Sequence, residues 1–162
     1  MGEPGQADDA IYQLVSFVIE NEEFGVDILK VQEIIRTVEI TRVPKSPDFV
    51  EGVINLRGKI VPVIDLRKRF GIAVKQRDNE TRIIVVDLAD KVVGFLVDRV
   101  KEVIRVDRSI IEPPPGLATG ISTSYITGVA KLQDRLLILL DLDRVLSSDE
   151  QEKISEVETE IR

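Results

Sequence analysis

The side chains of this chain that could do chemistry are carboxylates and basic groups, because its 162 residues include no histidine and no cysteine. This composition excludes Ser-His-Asp and Cys-His catalysis, metal sites built on His or Cys, and disulfides. Two aspartate pairs remain as candidate ligands of a Mg²⁺ ion in a hydrolase, namely Asp65 with Asp141 and Asp87 with Asp98. A simpler explanation is favoured for all four, because each stands at an end of a predicted helix or strand, where an aspartate can cap the backbone.

A second candidate group is Arg57, which stands beside Gly58 in the sequence NLRG, at the turn of a predicted β-hairpin. A charged residue at a turn is usually only solvated, so a role in recognition needs a further argument. Glu33 is the other undecided residue. It precedes Arg36 by three positions, a spacing typical of a surface ion pair on a helix, and it could equally contact a partner.

The elements that must position these residues occur twice in the chain. Two pairs of segments match, and they are residues 49–70 with residues 125–146, and residues 24–36 with residues 93–105. The matched positions include Gly25/Gly94, Glu33/Glu102, Gly52/Gly128 and Asp65/Asp141. The sequence therefore predicts two copies of one structural unit.

The two copies differ at one turn and in one loop. The turn of the second copy reads Gln133-Asp134, so Arg57-Gly58 is not a requirement of the fold. The first pair of segments is offset by 76 positions and the second pair by 69, so the second copy holds seven extra residues. They fall in the proline-rich stretch 113–124, which predicts a loop.

Composition narrows the class of protein. The net charge of −7 disfavours nucleic acid and anionic membranes as partners, and an aromatic content of 4% leaves few side chains that could stack on bases. The first nine residues are polar and acidic, and the longest apolar run covers residues 136–140, so neither a secretory leader nor a membrane span is predicted. We expect a cytoplasmic protein whose two small copies share one core.

The apolar pattern of the first copy predicts short strands and short helices. Residues 11–19 and 23–26 are predicted to form a hairpin, and Asp27 the N-cap of a helix over residues 28–35. The remaining elements of this copy are a strand over residues 38–43, a hairpin over 52–56 and 59–64, and a helical turn over 66–70 capped by Asp65.

The second copy repeats this order of elements. Its predicted elements are hairpins over residues 83–88 with 92–97 and 126–132 with 135–140, a strand over 106–111, and a helical turn over 141–146. Residues 98–104 fit a short helix, by comparison with the first copy, and also fit a strand.

The predicted fold class is mainly β, with two pseudo-repeated five-stranded barrels packed side by side and joined by short helices. A polar stretch at residues 73–80 separates the two subdomains. The predicted divisions are a disordered tail over residues 1–10, a folded domain over 11–147 with subdomains at about 15–80 and 81–147, and a C-terminal helix over 148–162.

Four long motifs follow one another along the chain. They are FGVDILKVQEI at residues 24–34, GVINLRGKIVPVIDL at 52–66, VVGFLVDRV at 92–100 and TGVAKLQDRLLILLDL at 127–142. In this order and spacing they resemble the CheW family, the adaptors of bacterial chemotaxis. The resemblance covers residues 11–146.

The resemblance implies two SH3-like barrels, no catalytic activity, no cofactor and no metal. Members of the family couple the cytoplasmic tips of chemoreceptors to the histidine kinase CheA, in arrays at the inner face of the cell membrane. The family's receptor-binding groove implies contacts at Val31, Glu33, Asn55, Arg57, Val92, Val93 and Val100. Its contacts with the kinase, which build alternating rings, imply roles for Ile40, Val43, Ile111, Pro114 and Leu117.

Overall fold

The computed structural model describes residues 10–88, 91–114 and 125–146, and these residues are mainly β. Their strands are β1 (Ile11–Ile19), β2 (Glu22–Asp27), β3 (Val31–Arg36), β4 (Val50–Leu56), β5 (Lys59–Asp65), β6 (Arg82–Leu88), β7 (Lys91–Val97), β8 (Arg99–Asp107), β9 (Ile111–Glu112), β10 (Ile126–Lys131) and β11 (Leu136–Leu140). The helices are α1 (Leu66–Arg69) and α2 (Leu142–Val145), and 3₁₀ turns cover Ile28–Lys30 and Arg108–Ile110. None of the helices in these ranges has the length and apolarity that crossing a membrane requires.

The strands form two sheets between which the chain crosses twice. The six-stranded sheet has the order β8-β1-β2-β11-β10-β9, and the five-stranded sheet has the order β3-β6-β7-β5-β4. Neighbouring strands are antiparallel except β2 with β11 and β5 with β7, which are parallel. The chain passes to the five-stranded sheet after β2 and returns to the six-stranded sheet after β7.

The predicted two-barrel fold is confirmed, but the subdomain boundary at residue 80 is wrong. The five-stranded sheet consists of strands from the contiguous residues 31–97, and the six-stranded sheet combines β1 and β2 with β8–β11. Each copy of the repeat therefore contributes its first hairpin to the barrel of the other copy. The apolar pattern does not distinguish these arrangements, because matched hairpins offer matched apolar faces to either barrel.

Two local predictions are corrected as well, and one alternative that the sequence left open is settled. Residues 28–35 form a 3₁₀ turn followed by β3, because positions four apart lie on one face of a strand as well as of a helix. Residues 38–43 form no regular strand and contribute one bridge, from Thr41 to Val53. Residues 98–104 take the strand alternative and lie largely in β8. The predicted tail before residue 10 and the predicted helix over residues 148–162 lie outside the described residues.

The largest apolar cluster lies between the two barrels, as expected for a shared core. It combines buried residues of β1, β2, β6 and β7 with those of α1, α2 and β11. The rings of Phe17, Phe24, Phe70 and Tyr125 follow one another through it, with successive centroids 5.8, 5.6 and 6.0 Å apart. Smaller clusters fill the interior of each barrel.

Gly52 and Gly128 are required by the close approach of a neighbouring segment. A Cβ at Gly52 would lie 2.3 Å from the Thr41 carbonyl oxygen, and one at Gly128 would lie 2.6 Å from Ile111 Cγ2. Each glycine also stands where the pairing of its hairpin shifts register. The agreement of the two copies at this position is therefore explained by the fold.

Candidate partner-binding surfaces

Arg57 is presented at the tip of the β4–β5 hairpin by a turn with two left-handed residues. The φ angle is 52° at Arg57 and 84° at Gly58, which is the pattern of a type I′ turn. Asn55 Oδ1 accepts a hydrogen bond of 2.8 Å from the Gly58 amide. Asn55 therefore helps to build the turn that presents Arg57.

Arg57 and Glu33 form a two-armed ion pair. Nη1 of Arg57 donates to Glu33 Oε1 at 3.1 Å, and Nη2 donates to Oε2. Glu33 follows a bulge at Gln32, because the pairing of β3 with β6 shifts between Val31 and Glu33. The hydrogen bond from Arg57 lowers the pKa of Glu33, and the same bond raises the pKa of Arg57. Both groups are therefore charged at neutral pH.

An apolar surface lies beside this ion pair. Ile35, Leu56 and Val92 are half-buried, and all three pack on the interior cluster of the five-stranded barrel. We call the set Glu33, Ile35, Leu56, Arg57 and Val92 the Arg57 face. Apolar area bordered by charge is the composition of a surface that docks another protein.

The other residues predicted to line the groove adjoin the central core. Val93 is 1% exposed and belongs to that core, which corrects its predicted place at a contact surface. Successive side chains of a strand point to opposite faces, so the neighbouring Val92 is the residue of this pair that lies away from the core. Val31 and Val100 are half-buried and pack against the core from β3 and β8.

The second predicted set begins at a cleft of about 290 Å³ beside the same hairpin. The cleft is lined by Thr41, Arg42, Val43, Pro44, Val53, Ile54, Asn55 and Ile60, and we call it the Val43 cleft. Val43 is buried against Val53, and Ile40 packs on the interior cluster of the barrel. Because Asn55 lines the cleft and also forms the turn of Arg57, the two predicted sets adjoin at this residue.

The remaining residues of the second set belong to the six-stranded barrel. Ile111 is half-buried and packs on the interior cluster of that barrel. Ile40 and Ile111 lie at equivalent places, since they lie against Gly52 and Gly128, the glycine that the two copies share. Pro114 follows β9 and is half-buried, whereas Leu117 lies outside the described residues. The described residues of the set therefore lie at the same end of both barrels.

The candidate carboxylates have structural explanations and do not form a shared site. Asp65 and Asp141 each accept a hydrogen bond from an amide of the helix that they precede, at 2.9 and 3.0 Å, which confirms them as caps. Asp87 and Asp98 lie at opposite ends of the β6–β7 hairpin. Within the described residues, no group of three or more His, Cys, Asp or Glu side chains could hold a metal ion. The hydrolase alternative gains no support from this arrangement.

Sequence reasoning missed a buried network around Arg67. Its Nε and Nη2 donate to the two carboxylate oxygens of Asp98 at 2.8 and 2.6 Å, and Nη2 also donates to Glu20 at 2.7 Å. Burial by itself raises the pKa of Asp98, but hydrogen bonds from Arg67 and from the Glu20 amide outweigh it, and the pKa is lowered. The sequence holds little signal for this network, because an arginine in the basic run of residues 67–69 resembles a solvated helix residue.

A second missed pair lies on the six-stranded barrel, between Arg135 and Glu102. Arg135 Nη2 donates to Glu102 Oε2 at 2.9 Å. Glu102 is the repeat counterpart of Glu33, and Arg135 stands two positions beyond the counterpart of Arg57. A comparison of the copies by charge, with a tolerance of two positions, would have found this pair.

Comparison with known proteins gives a consistent result. The CheW-like domain family matches residues 13–150. A chemotaxis protein CheW from Klebsiella aerogenes is 43% identical over 145 residues, which are 90% of this chain and 87% of the relative, and one from Helicobacter pylori is 36% identical over 149 residues, which are 91% and 89%. The crystal structure of the scaffolding protein TtCheW from Thermoanaerobacter tengcongensis shares 42% identity with a TM-score of 0.79, over 86% of this chain and 90% of that chain.

Proposed function

The chain belongs to the CheW-like domain family, and we propose that it couples the cytoplasmic tips of chemoreceptors to the histidine kinase CheA. Relatives that match most of the chain are named chemotaxis proteins, and a structure with the same fold is named a scaffolding protein. These findings support a scaffold protein of chemotaxis. The identity of the two partners and the surfaces that bind them are the finer part of the proposal.

The observation that carries the receptor contact is the Arg57–Glu33 ion pair at the border of an apolar surface. A receptor tip is helical, and a helix can lay apolar side chains on Ile35, Leu56 and Val92 in the helix-in-groove mode. Burial of apolar area supplies most of the affinity in such a contact. The charged pair sets the register and the specificity of the helix.

The geometry around Arg57 favours binding because the side chain is already oriented. The turn fixes the backbone of Arg57, and Glu33 holds its guanidinium through two hydrogen bonds. An ordered side chain loses less conformational entropy when a partner docks. Val31 and Val100 extend the proposed receptor contact toward the junction of the two barrels, where they pack on the central core.

The proposed CheA contact uses the matched ends of the two barrels. On the five-stranded barrel it comprises the Val43 cleft with Ile40, and on the six-stranded barrel it comprises Ile111 with Pro114. The family pattern adds Leu117 to the proposed contact. A protein with one such end on each barrel can contact two kinase domains at once, and repetition of that contact gives alternating rings.

We also infer that the chain acts without catalysis, in the cytoplasm, at receptor arrays on the inner face of the membrane. Its contribution is then a coupling free energy between receptor state and kinase state. Such couplings are typically about 1–3 kcal/mol. Because the Arg57 face and the Val43 cleft share the β4–β5 hairpin, the two contacts are close enough to influence each other.

Co-sedimentation tests the proposal directly. Receptor-bearing vesicles are pelleted with CheA in the presence and absence of this chain, and the pelleted kinase and its autophosphorylation rate are measured. The expected result is that the chain raises both. If the folded chain leaves the pelleted amount of CheA unchanged, the proposed coupling is wrong.

A further inference from the structure

The six-stranded barrel holds an ionic cluster around a buried carboxylate, at the end that corresponds to the Arg57 face. Glu23 of β2 is 8% exposed, and its Oε2 accepts a hydrogen bond from the Ser16 hydroxyl. Its Oε1 lies 3.3 Å from Lys101 Nζ and 2.8 Å from Arg135 Nε, the latter an ionic contact without hydrogen-bond geometry. Arg135 also binds Glu102. We call these five residues the Glu23 cluster.

Each member of the Glu23 cluster has a counterpart at the same place in the repeat. The counterparts of Ser16, Glu23, Lys101, Glu102 and Arg135 are, in this order, Val85, Val92, Gln32, Glu33 and Lys59. The structural frame is the same as well, because the edge strand of each barrel bulges at the matched residue, Lys101 in β8 and Gln32 in β3. The two ends therefore differ in chemistry and agree in backbone.

The difference changes what each end can bind. On the five-stranded barrel, Val92 offers apolar area and Glu33 pairs with Arg57 at the border. On the six-stranded barrel, the position of Val92 carries the carboxylate of Glu23, and Arg135 lies across it toward Glu102. An apolar helix that docked there would remove this cluster from water without offering it hydrogen bonds, which is unfavourable.

We propose that the Glu23 cluster closes the end of the six-stranded barrel to the apolar helix that docks on the Arg57 face, so that one chain binds one receptor tip. The inference rests on the proposed function and adds to it the residue that decides which of two similar surfaces the receptor uses. Glu23 is that residue, because it places a carboxylate where the other barrel has Val92.

The first test uses the unaltered chain and two matched leucines. Leu56 and Leu132 occupy equivalent positions and are both half-buried. Methyl NMR spectra are recorded during titration with a helical receptor-tip fragment, which should shift the Leu56 signals and leave the Leu132 signals in place. Equal shifts at both leucines overturn the inference and leave the proposed function standing. A fragment that neither binds nor shifts any signal overturns the proposed function itself.

The second test transfers the side chains of one barrel end to the matched end of the other barrel. One variant gives the six-stranded barrel the residues of the other end through Ser16→Val, Glu23→Val, Lys101→Gln, Gln133→Arg, Asp134→Gly and Arg135→Lys. Calorimetric stoichiometry should rise from one fragment per chain to two. A folded variant that still binds one fragment overturns the inference.

The reciprocal variant guards against a failure of the first one to fold. It carries Gln32→Lys, Lys59→Arg, Val85→Ser and Val92→Glu, so that the new carboxylate receives the partners that Glu23 has. Its affinity for the receptor fragment should fall at least tenfold, with CheA binding retained. Receptor affinity equal to that of the unaltered chain overturns the inference.

Discussion

Arg67 and Asp98 form a bidentate ion pair at the point where the chain leaves the five-stranded sheet for the six-stranded one. The two side chains are 8% and 11% exposed. The other crossing has an ion pair too, in which Lys30 lies 3.0 Å from Asp143 and both side chains are nearly half exposed. Arg67 of α1 and Asp143 of α2 occupy matched positions, so each crossing has an ion pair to the same helix position, with the charges reversed.

The buried pair should matter far more for stability than the exposed one. Arg67→Ala leaves Asp98 without its main partner in a desolvated place and should lower the free energy of unfolding by about 3 kcal/mol or more. Lys30→Ala serves as the control, with an expected loss of about 0–1 kcal/mol. Urea denaturation of both variants measures the difference. Equal losses in the free energy of unfolding would contradict the assignment of the Arg67 ion pair as the more stabilising one.

Acid should weaken the same pair. The pKa of Asp98 is lower in the folded chain than its ordinary value of about 3.9, so its stabilising contribution is complete above that value and is lost as the pH falls through the folded pKa. The stability gap between the unaltered chain and Asp98→Asn should therefore narrow below about pH 4. Urea denaturation from pH 3 to pH 7 measures the gap. A gap that is constant over this range would show that the charge of Asp98 contributes nothing.

Two glycines with positive φ should respond differently to alanine. At Gly58, a Cβ would have no described atom within 4 Å, so Gly58→Ala carries the left-handed backbone strain alone, about 1 kcal/mol. At Gly52, the added atom would also lie 2.3 Å from the Thr41 carbonyl oxygen, so Gly52→Ala should cost about 3 kcal/mol or more. Thermal unfolding ranks the two variants, and a smaller loss at Gly52 would refute the close approach of Thr41.

Receptor and kinase binding should be separable by single substitutions. Arg57→Ala should weaken receptor binding about tenfold and leave CheA binding nearly intact, whereas Ile60→Ala in the Val43 cleft should do the reverse. Fluorescence anisotropy with each partner measures both affinities, after thermal unfolding has shown that the variants are folded. Arg144→Ala is a matched control, because Arg144 is an exposed arginine of α2 that pairs with Asp141. If Arg57→Ala weakened both interactions equally, the separation of the two surfaces would be wrong.

The error at residues 28–35 shows a limit of periodicity. Val31 and Ile35 are four positions apart, and this spacing places them on one face of a helix and equally on one face of a strand. Asp27 did mark the start of a turn, since its carboxylate accepts a hydrogen bond from the Leu29 amide. Half-buried and exposed residues alternate along β3 in the structure, but its sequence VQEIIR does not alternate apolar with polar residues, so the strand left no clear signal in the sequence.

The exchange of hairpins was beyond a single sequence for a different reason. The repeat identified two barrels and the glycines and caps that build them, because these features are local. Which hairpin completes which barrel depends on long-range pairing, such as β2 with β11 and β5 with β7. Two matched hairpins satisfy either arrangement, so the pattern of apolar residues leaves the choice open.

Individual residues of the candidate site could be predicted from the sequence, but the contacts between them depend on long-range pairing and could not. Arg57 stood out because the second copy lacks it, and Glu33 was kept open, yet their contact joins residues 24 positions apart and needed the fold. Val93 was misplaced because two adjacent valines look alike in sequence, although the strand turns one of them to the core. Nothing in the sequence distinguishes Glu23 from the other glutamates, and only its burial in the structure identifies it as unusual.

The sheet order also bears on how the chain folds during synthesis. The five-stranded sheet is contiguous in sequence, so it can form as soon as residues 31–97 have left the ribosome. The hairpin of β1 and β2, although made first, has to wait for β8 and β11 before it can pair on either side. Closing that long loop is entropically slow, and the edges of the early hairpin stay open to other chains in the meantime. We therefore expect the first strands translated to be the last to pair with their neighbours in the sheet. Misassembly should accordingly begin in the six-stranded barrel.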